Sequence, residues 1–394
     1  MSRVRAGGRA VTAIGIRAAP TDAAECARIL ADASRDRRTV RVVGGMTKSY
    51  IGDAGDIDTE VHTSELTGIV DHVPADLTVT VAGGTRIADL ADALARAGQF
   101  LPLDPPHAEH ATIGGVIASN SNGFWRARYG GVRDLLIGTR IALPDGTVVR
   151  SGGRVVKNVA GYDLNKLITG SFGTLGVIVE ATLKVLPLPT ASDGVVARFA
   201  RGTDAFATAG AIARAASRPE TVVVERTARD DWRLIATARG APAAVARATA
   251  DARREINARG GNAAIGGDEL AELRELPAHA TDGALVRVAL PIAAQSAFAD
   301  TAARLEGFAT LVADAASGVL RVHVRGDDDA VTRAAEALLL AARVVGGGGR
   351  VERRAEHLRA RLVASPTRTN GEQLMRRIKG AFDPAGILEP GRSP

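Results

Sequence analysis

Two adjacent glycines inside an apolar run, Gly114 and Gly115 in ATIGGVIASN (111–120), constrain this chain more than any other feature. A glycine pair lets the backbone come within contact distance of a bulky partner, and Thr112, Ser119 and Asn120 place short hydrogen-bonding groups beside it. A second glycine turn, VGGMTKS (43–49), follows directly on a strand-like run at 39–43. Successive N–H groups in such a turn form an anion nest suited to a diphosphate. A third turn lies in SFGTLGVIVEATLKVLP (171–187), where glycines feed a long β-branched run. Each turn alone is equally well explained by a tight bend or close packing; their joint order is far more specific.

At 394 residues the chain can bury more than one core, and two domains is the expected number. Its 46% hydrophobic and 24% charged residues suit a globular chain, and no apolar run reaches the roughly 18 to 20 residues of a membrane span. The opening MSRVRAGGRAVTAIGI lacks the apolar stretch of a secretory signal, so the expected location is the cytoplasm. The net charge of +6 comes from arginines scattered among acids, which argues against nucleic-acid binding. Cys26, the only cysteine, shares a predicted helix face with Ile29 and Leu30 and reads as core. One cysteine permits no internal disulfide, zinc ribbon or cysteine-ligated iron–sulfur cluster.

In chain order, a helix is expected at 21–34 with Thr21 as its N-cap, then the strand into Gly44. Short alternating segments follow at 59–62, 68–72 and 77–82, and then a helix capped by Thr85 and closed by Gly98. No GxGxxG separates a strand from a helix, which argues against a nicotinamide site. Residues 134–143 read as a buried strand that Pro144, Asp145 and Gly146 turn into a hairpin with 147–151. The character changes at Pro187 and Pro189. Beyond them β-branched runs (221–226, 284–290, 319–324) alternate with alanine- and arginine-rich runs (205–216, 243–258, 330–342), predicting an antiparallel sheet with helices on one face. Residues 346–349 read as a flexible break, and 352–361 and 372–381 as helical.

A strand then VGGxT, TIGGxxASNxxG, YGxxRDLLIG, GYDL and GTLGVI is an order that resembles the flavoproteins related to vanillyl-alcohol oxidase and p-cresol methylhydroxylase. The resemblance covers 39–187, and AFDPAGILEPGR (381–392) resembles that family's closing segment. LDPPH before TIGG, together with RVVKNVAGYDLNKLITGSFGTLGVIVEATLKVLPLP, is most similar to the FAD-binding subunit of glycolate oxidase. The resemblance implies an α+β chain: a two-subdomain FAD-binding domain at 1–189, a smaller α+β cap domain at 190–349, and a helical segment at 350–394 returning to the first domain. It implies that FAD contacts Gly44, Gly45, Met46, Thr47 and Lys48 in the first turn. Thr112, Ile113, Gly114, Gly115, Ser119, Asn120 and Gly123 serve the second, and Gly176, Val177 and Ile178 the third. Some relatives place in the first turn a histidine bonded to the flavin; Met46 stands there, so a non-covalent FAD is expected. Two departures stand out: Met46 where many relatives have another glycine, and Glu389 where an asparagine is common.

A flavin takes a hydride at N5, and its site supplies orientation and positive charge near N1 and the C2 oxygen. Lys48, Arg126, Arg128 and Lys157 are the candidates, with Lys48 assigned to the diphosphate side. A 2-hydroxy acid further needs an arginine for its carboxylate and a base for its hydroxyl proton. The candidates for catalysis are His107, Arg128 and Lys157; Asp163 reads equally as a helix-start, salt-bridge or catalytic residue. His107 and His110 are irregularly spaced in a proline-rich loop, so no metal is expected, and His279, His323 and His357 read as packing or surface residues. The expected function is an FAD-linked oxidoreductase acting on CH–OH groups. In that reading the chain is the FAD-binding subunit of a glycolate oxidase-like complex with a hydroxy-acid substrate, a partner flavoprotein and iron–sulfur subunits. The alternatives are a self-sufficient oxidase or dehydrogenase of a small alcohol or hydroxy acid, and a non-catalytic flavin-binding assembly subunit.

Overall fold

The computed structural model describes residues 15–53, 55–153, 163–228, 232–267, 269–363 and 371–392. Lys157 and Tyr162 lie outside them.

Two larger sheets build the first half, beside a two-stranded pairing of Gln99–Phe100 with Leu186–Pro187. Strands Ile16–Ala18, Thr59–His62 and Val40–Val43 pair in parallel, with 59–62 in the middle. Helix Ala23–Arg35 packs Cys26, Leu30 and Ala33 into their core, one face of a 3.6-residue period. Its N-cap is Asp22 rather than Thr21: the Asp22 carboxylate accepts the Glu25 N–H at 2.8 Å, while the Thr21 N–H and hydroxyl donate to the Glu25 carboxylate. Two acceptors thus satisfy orphan donors reciprocally, one residue later than expected.

The second sheet is antiparallel, in the order 69–73, 78–82, 177–184, 136–142, 148–152. The run that leaves the third glycine turn, Val177–Lys184, is its central strand, flanked on both edges, and its residues are almost all buried. Helices Ile87–Arg96 and Ile113–Ser119 drive Leu90, Leu94, Ile113 and Ile117 into the same core. Thr85 does not cap the first of these: its hydroxyl is engaged with the N–H and carbonyl of Gly68, and Arg86 takes the cap position. The strand expected from 134 starts at Leu136, because Asp134 accepts the Gly131 N–H and closes a single helical turn, Val132–Leu135. The hairpin partner forms as Val148–Gly152.

Eight antiparallel strands make the cap sheet, in the order 264–265, 191–199, 232–240, 221–227, 308–314, 319–324, 284–289, 348–354. Helices Gly202–Ala213, Pro242–Asn257, Gln295–Ala302 and Asp328–Val344 pack on one face, as the alternation predicts. Strand periodicity sends Val286, Val322 and Val351 toward those helices and leaves Arg287, Arg321 and Arg350 on the opposite face. Gly348–Arg354 is a strand, correcting the expected break and helix: Glu352 lies within the sheet, and helical structure starts only at Glu356. Pairing with Ala284–Ala289 overrides the helix propensity of that glutamate- and arginine-rich segment.

The open face of the cap sheet rests on the first half. Phe124 packs with Val223, Ile235 and Val312, the Tyr129 hydroxyl donates to Glu220 at 2.9 Å, and Arg239 stacks over Trp125 at 4.7 Å. Helix Glu372–Phe382 forms where expected, and the chain beyond it returns to the first sheet, Val40 donating to Ile387 O and Glu389 N–H to Val40 O, both at 2.8 Å. Among the described residues no helix is long and apolar enough to cross a membrane.

Candidate functional site

The three glycine turns converge, and part of their glycine content serves that convergence. A Cβ on Gly45 would lie 1.7 Å from the His110 carbonyl oxygen, so only glycine lets the first turn rest against the loop that enters the second. A Cβ on Gly115, by contrast, meets nothing but the Thr112 hydroxyl at 3.0 Å, and this residue is exposed along the cleft. Packing therefore requires glycine at 45, whereas at 115 the backbone is open to the cleft.

Between the turns runs a cleft of about 380 Å3, within the range of cofactor sites. All five residues from Gly44 to Lys48 line it, as do Thr112, Gly114, Gly115, Ser119 and the run Gly176, Val177, Ile178. Met46 has a left-handed backbone (φ 54°), and four successive N–H groups, Gly45 to Lys48, donate to no backbone carbonyl among the described residues. Such a run of free donors is the physical content of an anion nest. Ile113 sits beneath the cleft in the core, and Asn120 and Gly123 line a neighbouring cavity instead. Glu389 closes one wall: buried, with φ 49°, it accepts the Val42 N–H at 2.7 Å and lies 3.3 Å from Arg392.

That neighbouring cavity, of about 270 Å3, lies between the first half and the open face of the cap sheet. It meets the cleft at Lys48, Ser119 and Phe172, which line both. Arg287, Arg321, Arg350, Asp314 and Glu352 line it from the sheet. Arg321 Nε donates to Glu352 Oε2 at 2.7 Å; burial works against the carboxylate, yet Arg321, Arg350 and Arg287 hold its pKa down to about 2. Burial pushes Asp314 up to about 6 despite hydrogen bonds from Ser317, and pulls Lys48 down to about 8 and Arg287 to about 10. The Tyr50 hydroxyl, also on this cavity, is buried with no hydrogen-bond partner among the described residues.

Residues 15–152 match the family described as FAD binding domain, and residues 363–393 match FAD linked oxidases, C-terminal domain. The chain carries an FAD-binding domain. Glycolate oxidase subunit GlcE of Escherichia coli (strain K12) is 42% identical over 161 residues, 40% of this chain and 45% of that protein. Glycolate oxidase subunit GlcD of Bacillus subtilis (strain 168) is 35% identical over 185 residues, 46% and 39% of the two chains. Each match spans less than half of the relative it is made to. The fold is that of substrate-bound p-cresol methylhydroxylase, with a TM-score of 0.75 over 96% of this chain and 88% of that one at 17% identity.

Not every expected residue reaches the FAD-binding domain's cleft. Arg128 is exposed on the short helix Arg126–Tyr129, over the Tyr129 ring, and lines neither the cleft nor the cavity. Lys157 lies outside the described residues. His107 has φ 62°, its N–H donates to the Glu275 carboxylate at 2.8 Å, and burial lowers its pKa; it opens on a third hollow beside Met46, Thr47 and Tyr50. Lys48 extends to the Pro106 carbonyl at 3.5 Å, at the junction of cleft and cavity rather than along the turn alone. Asp163 pairs with Lys166 at 3.1 Å, and His323 is buried against the Asp282 carbonyl at 2.7 Å. Among the described residues no group of three or more His, Cys, Asp or Glu is placed to hold a metal.

Sequence reasoning missed the arginine wall of the cavity. Its signal was present in VRVAL, LRVHVR and GRVERR, where charges alternate with valines; a charge at every second position of a buried strand marks a polar face turned toward something other than the core.

Proposed function

We propose that this chain is an FAD-dependent oxidoreductase of 2-hydroxy acids, the FAD-binding subunit of a glycolate oxidase-like complex. A non-covalent FAD would be held in the long cleft, with the free N–H groups of Gly45 to Lys48 as donors to its diphosphate and the Lys48 ammonium, at the junction with the cavity, as positive charge for its ring. The carrying observation is the continuity of cleft and cavity through Lys48, Ser119 and Phe172, which sets a cofactor end beside a cationic chamber. Met46 offers no ring nitrogen for a covalent tether.

When bound, FAD supplies a hydride acceptor at N5. The residues of the chain do the rest. The guanidiniums of the cap sheet hold the substrate carboxylate and orient C2 toward the cleft. Asp314, a buried carboxylate with a pKa of about 6, takes the hydroxyl proton while the C2 hydride leaves, giving a 2-oxo acid. Lys48, where cleft and cavity meet beside Ser119 and Phe172, would supply positive charge to the ring. With Cys26 as its only cysteine, and that one buried, the chain has no cysteine ligand set for an iron–sulfur cluster of its own, and in this proposal the electrons pass to a partner flavoprotein and iron–sulfur subunit in the cytoplasm.

The test is anaerobic titration of the yellow protein with glycolate, D-lactate and the dicarboxylate D-malate, alone and with copurifying subunits, following the visible flavin absorbance. Bleaching only in the assembly supports the complex, and bleaching of the isolated chain identifies a self-sufficient enzyme. A flavin that no 2-hydroxy acid reduces in either state ends the reading.

A further inference from the structure

Three arginines of the cap sheet stand in one register row. Arg287 pairs directly with Arg321 across one antiparallel neighbour and with Arg350 across the other. Opposed residues in such strands have Cβ atoms about 4.5–5.5 Å apart, and like charges there repel. Only one carboxylate is shared among them. Glu352 is 2.7 Å from Arg321 and 3.9 Å from Arg350, while Arg287, half-buried and in register with both arginines, has no hydrogen-bond or ion-pair partner among the described residues. The Nε of Arg350 is likewise buried and unpaired among those residues. Across the cavity the first half adds Lys48, Arg126 and Arg133, so six cations face Glu352 and Asp314. A guanidinium withdrawn from water and left without a partner gains from an anion that completes it, and a ligand with one carboxylate leaves most of this excess unmet.

We propose that this cavity selects a ligand bearing two carboxylates, one held by Arg287 and Arg350 on the sheet and the other by Arg133 and Arg126 on the facing wall. The substrate class is then a 2-hydroxy dicarboxylate rather than a 2-hydroxy monocarboxylate. The assignment of the reacting group rests on the proposed flavin reaction, but the anion site itself is measured without turnover.

Calorimetric titration of the full-length protein at fixed ionic strength compares acetate with malonate and succinate. At least one dicarboxylate should bind tenfold or more tightly than acetate. Arg287→Met, and separately Arg350→Met, should bring that dicarboxylate within threefold of acetate. Arg287→Met should also leave the unliganded melting temperature equal or higher, since it removes repulsion within the row. Equal affinity for acetate and both dicarboxylates overturns the proposal, as does a dicarboxylate affinity untouched by both substitutions. A protein that cannot be loaded with FAD yet separates succinate from acetate defeats the flavin reading and leaves the two-carboxylate site standing.

Discussion

The Nζ of Lys379 lies 2.5 Å from the Oδ2 of Asp383, a carboxylate with no exposed side-chain surface, and also donates to the carbonyls of Thr174 at 2.8 Å and Leu388 at 2.9 Å. One ammonium therefore ties the last helix, the closing segment and the third glycine turn together. Asp383 in turn accepts the N–H groups of Ile387 and Leu388. Lys379→Met strands a buried carboxylate and two carbonyls and should cost about 3 kcal/mol in urea unfolding. The exposed pair Arg376 and Glu372 on the same helix provides the control: Arg376→Ala should cost less than about 0.5 kcal/mol. Similar losses in the two variants would show that Lys379 is not the tie.

The glycines separate packing from binding. Gly115→Val adds its side chain along the cleft and should yield folded but colourless protein, whereas Gly45→Ala collides with the His110 carbonyl and should lose about 1–3 kcal/mol of stability. Flavin content and circular dichroism read both. Stoichiometric FAD retained in Gly115→Val removes that residue from the cofactor's path.

Lys48 sets a pH dependence. Burial pulls its pKa to about 8, so it is charged below that value and neutral above it. An anion in the cavity favours the charged form, and its affinity should fall as pH rises through about 8, by up to roughly tenfold per unit for one proton. Lys48→Met should flatten this profile and weaken the anion more than FAD. A profile unchanged in the variant assigns the titration elsewhere.

Glu389 places a carboxylate on the cleft wall, with its pKa raised by burial and only partly restored by Arg392. Glu389→Gln keeps an acceptor for the Val42 N–H, removes the negative charge and frees Arg392, so FAD should bind about fivefold more tightly, ~1 kcal/mol. The difference should shrink at acid pH, where wild-type Glu389 takes up its proton. Weaker FAD binding by the variant at neutral pH would mean that the carboxylate helps the cofactor.

Much of the fold was legible because it is written in local periodicities. The β-branched run after Gly176 forms the strand Val177–Lys184, the helical runs expected at 205–216, 243–258 and 330–342 form as Gly202–Ala213, Pro242–Asn257 and Asp328–Val344, and the alternation after Pro189 gives a sheet covered on one face. Boundaries slipped where a side chain chose a non-local partner. Thr85 bonds Gly68 instead of capping its helix, and Glu352 joins a strand because Ala284–Ala289 offers a ladder to pair with.

Within the site, the sequence by itself determined the turns: glycine at 45 and 115, donors without side-chain cover, and small polar groups at 112 and 119 follow from residue type alone. Tertiary structure decided what those turns face. Arg287, Arg321 and Arg350 are separated along the chain and become one cationic wall only when three strands align in register, and Lys48 becomes a junction residue only when that wall closes over the cleft. Register and domain contact are long-range properties, fixed by which buried faces pair, and no local pattern of residues encodes the distance between two strands that have yet to meet.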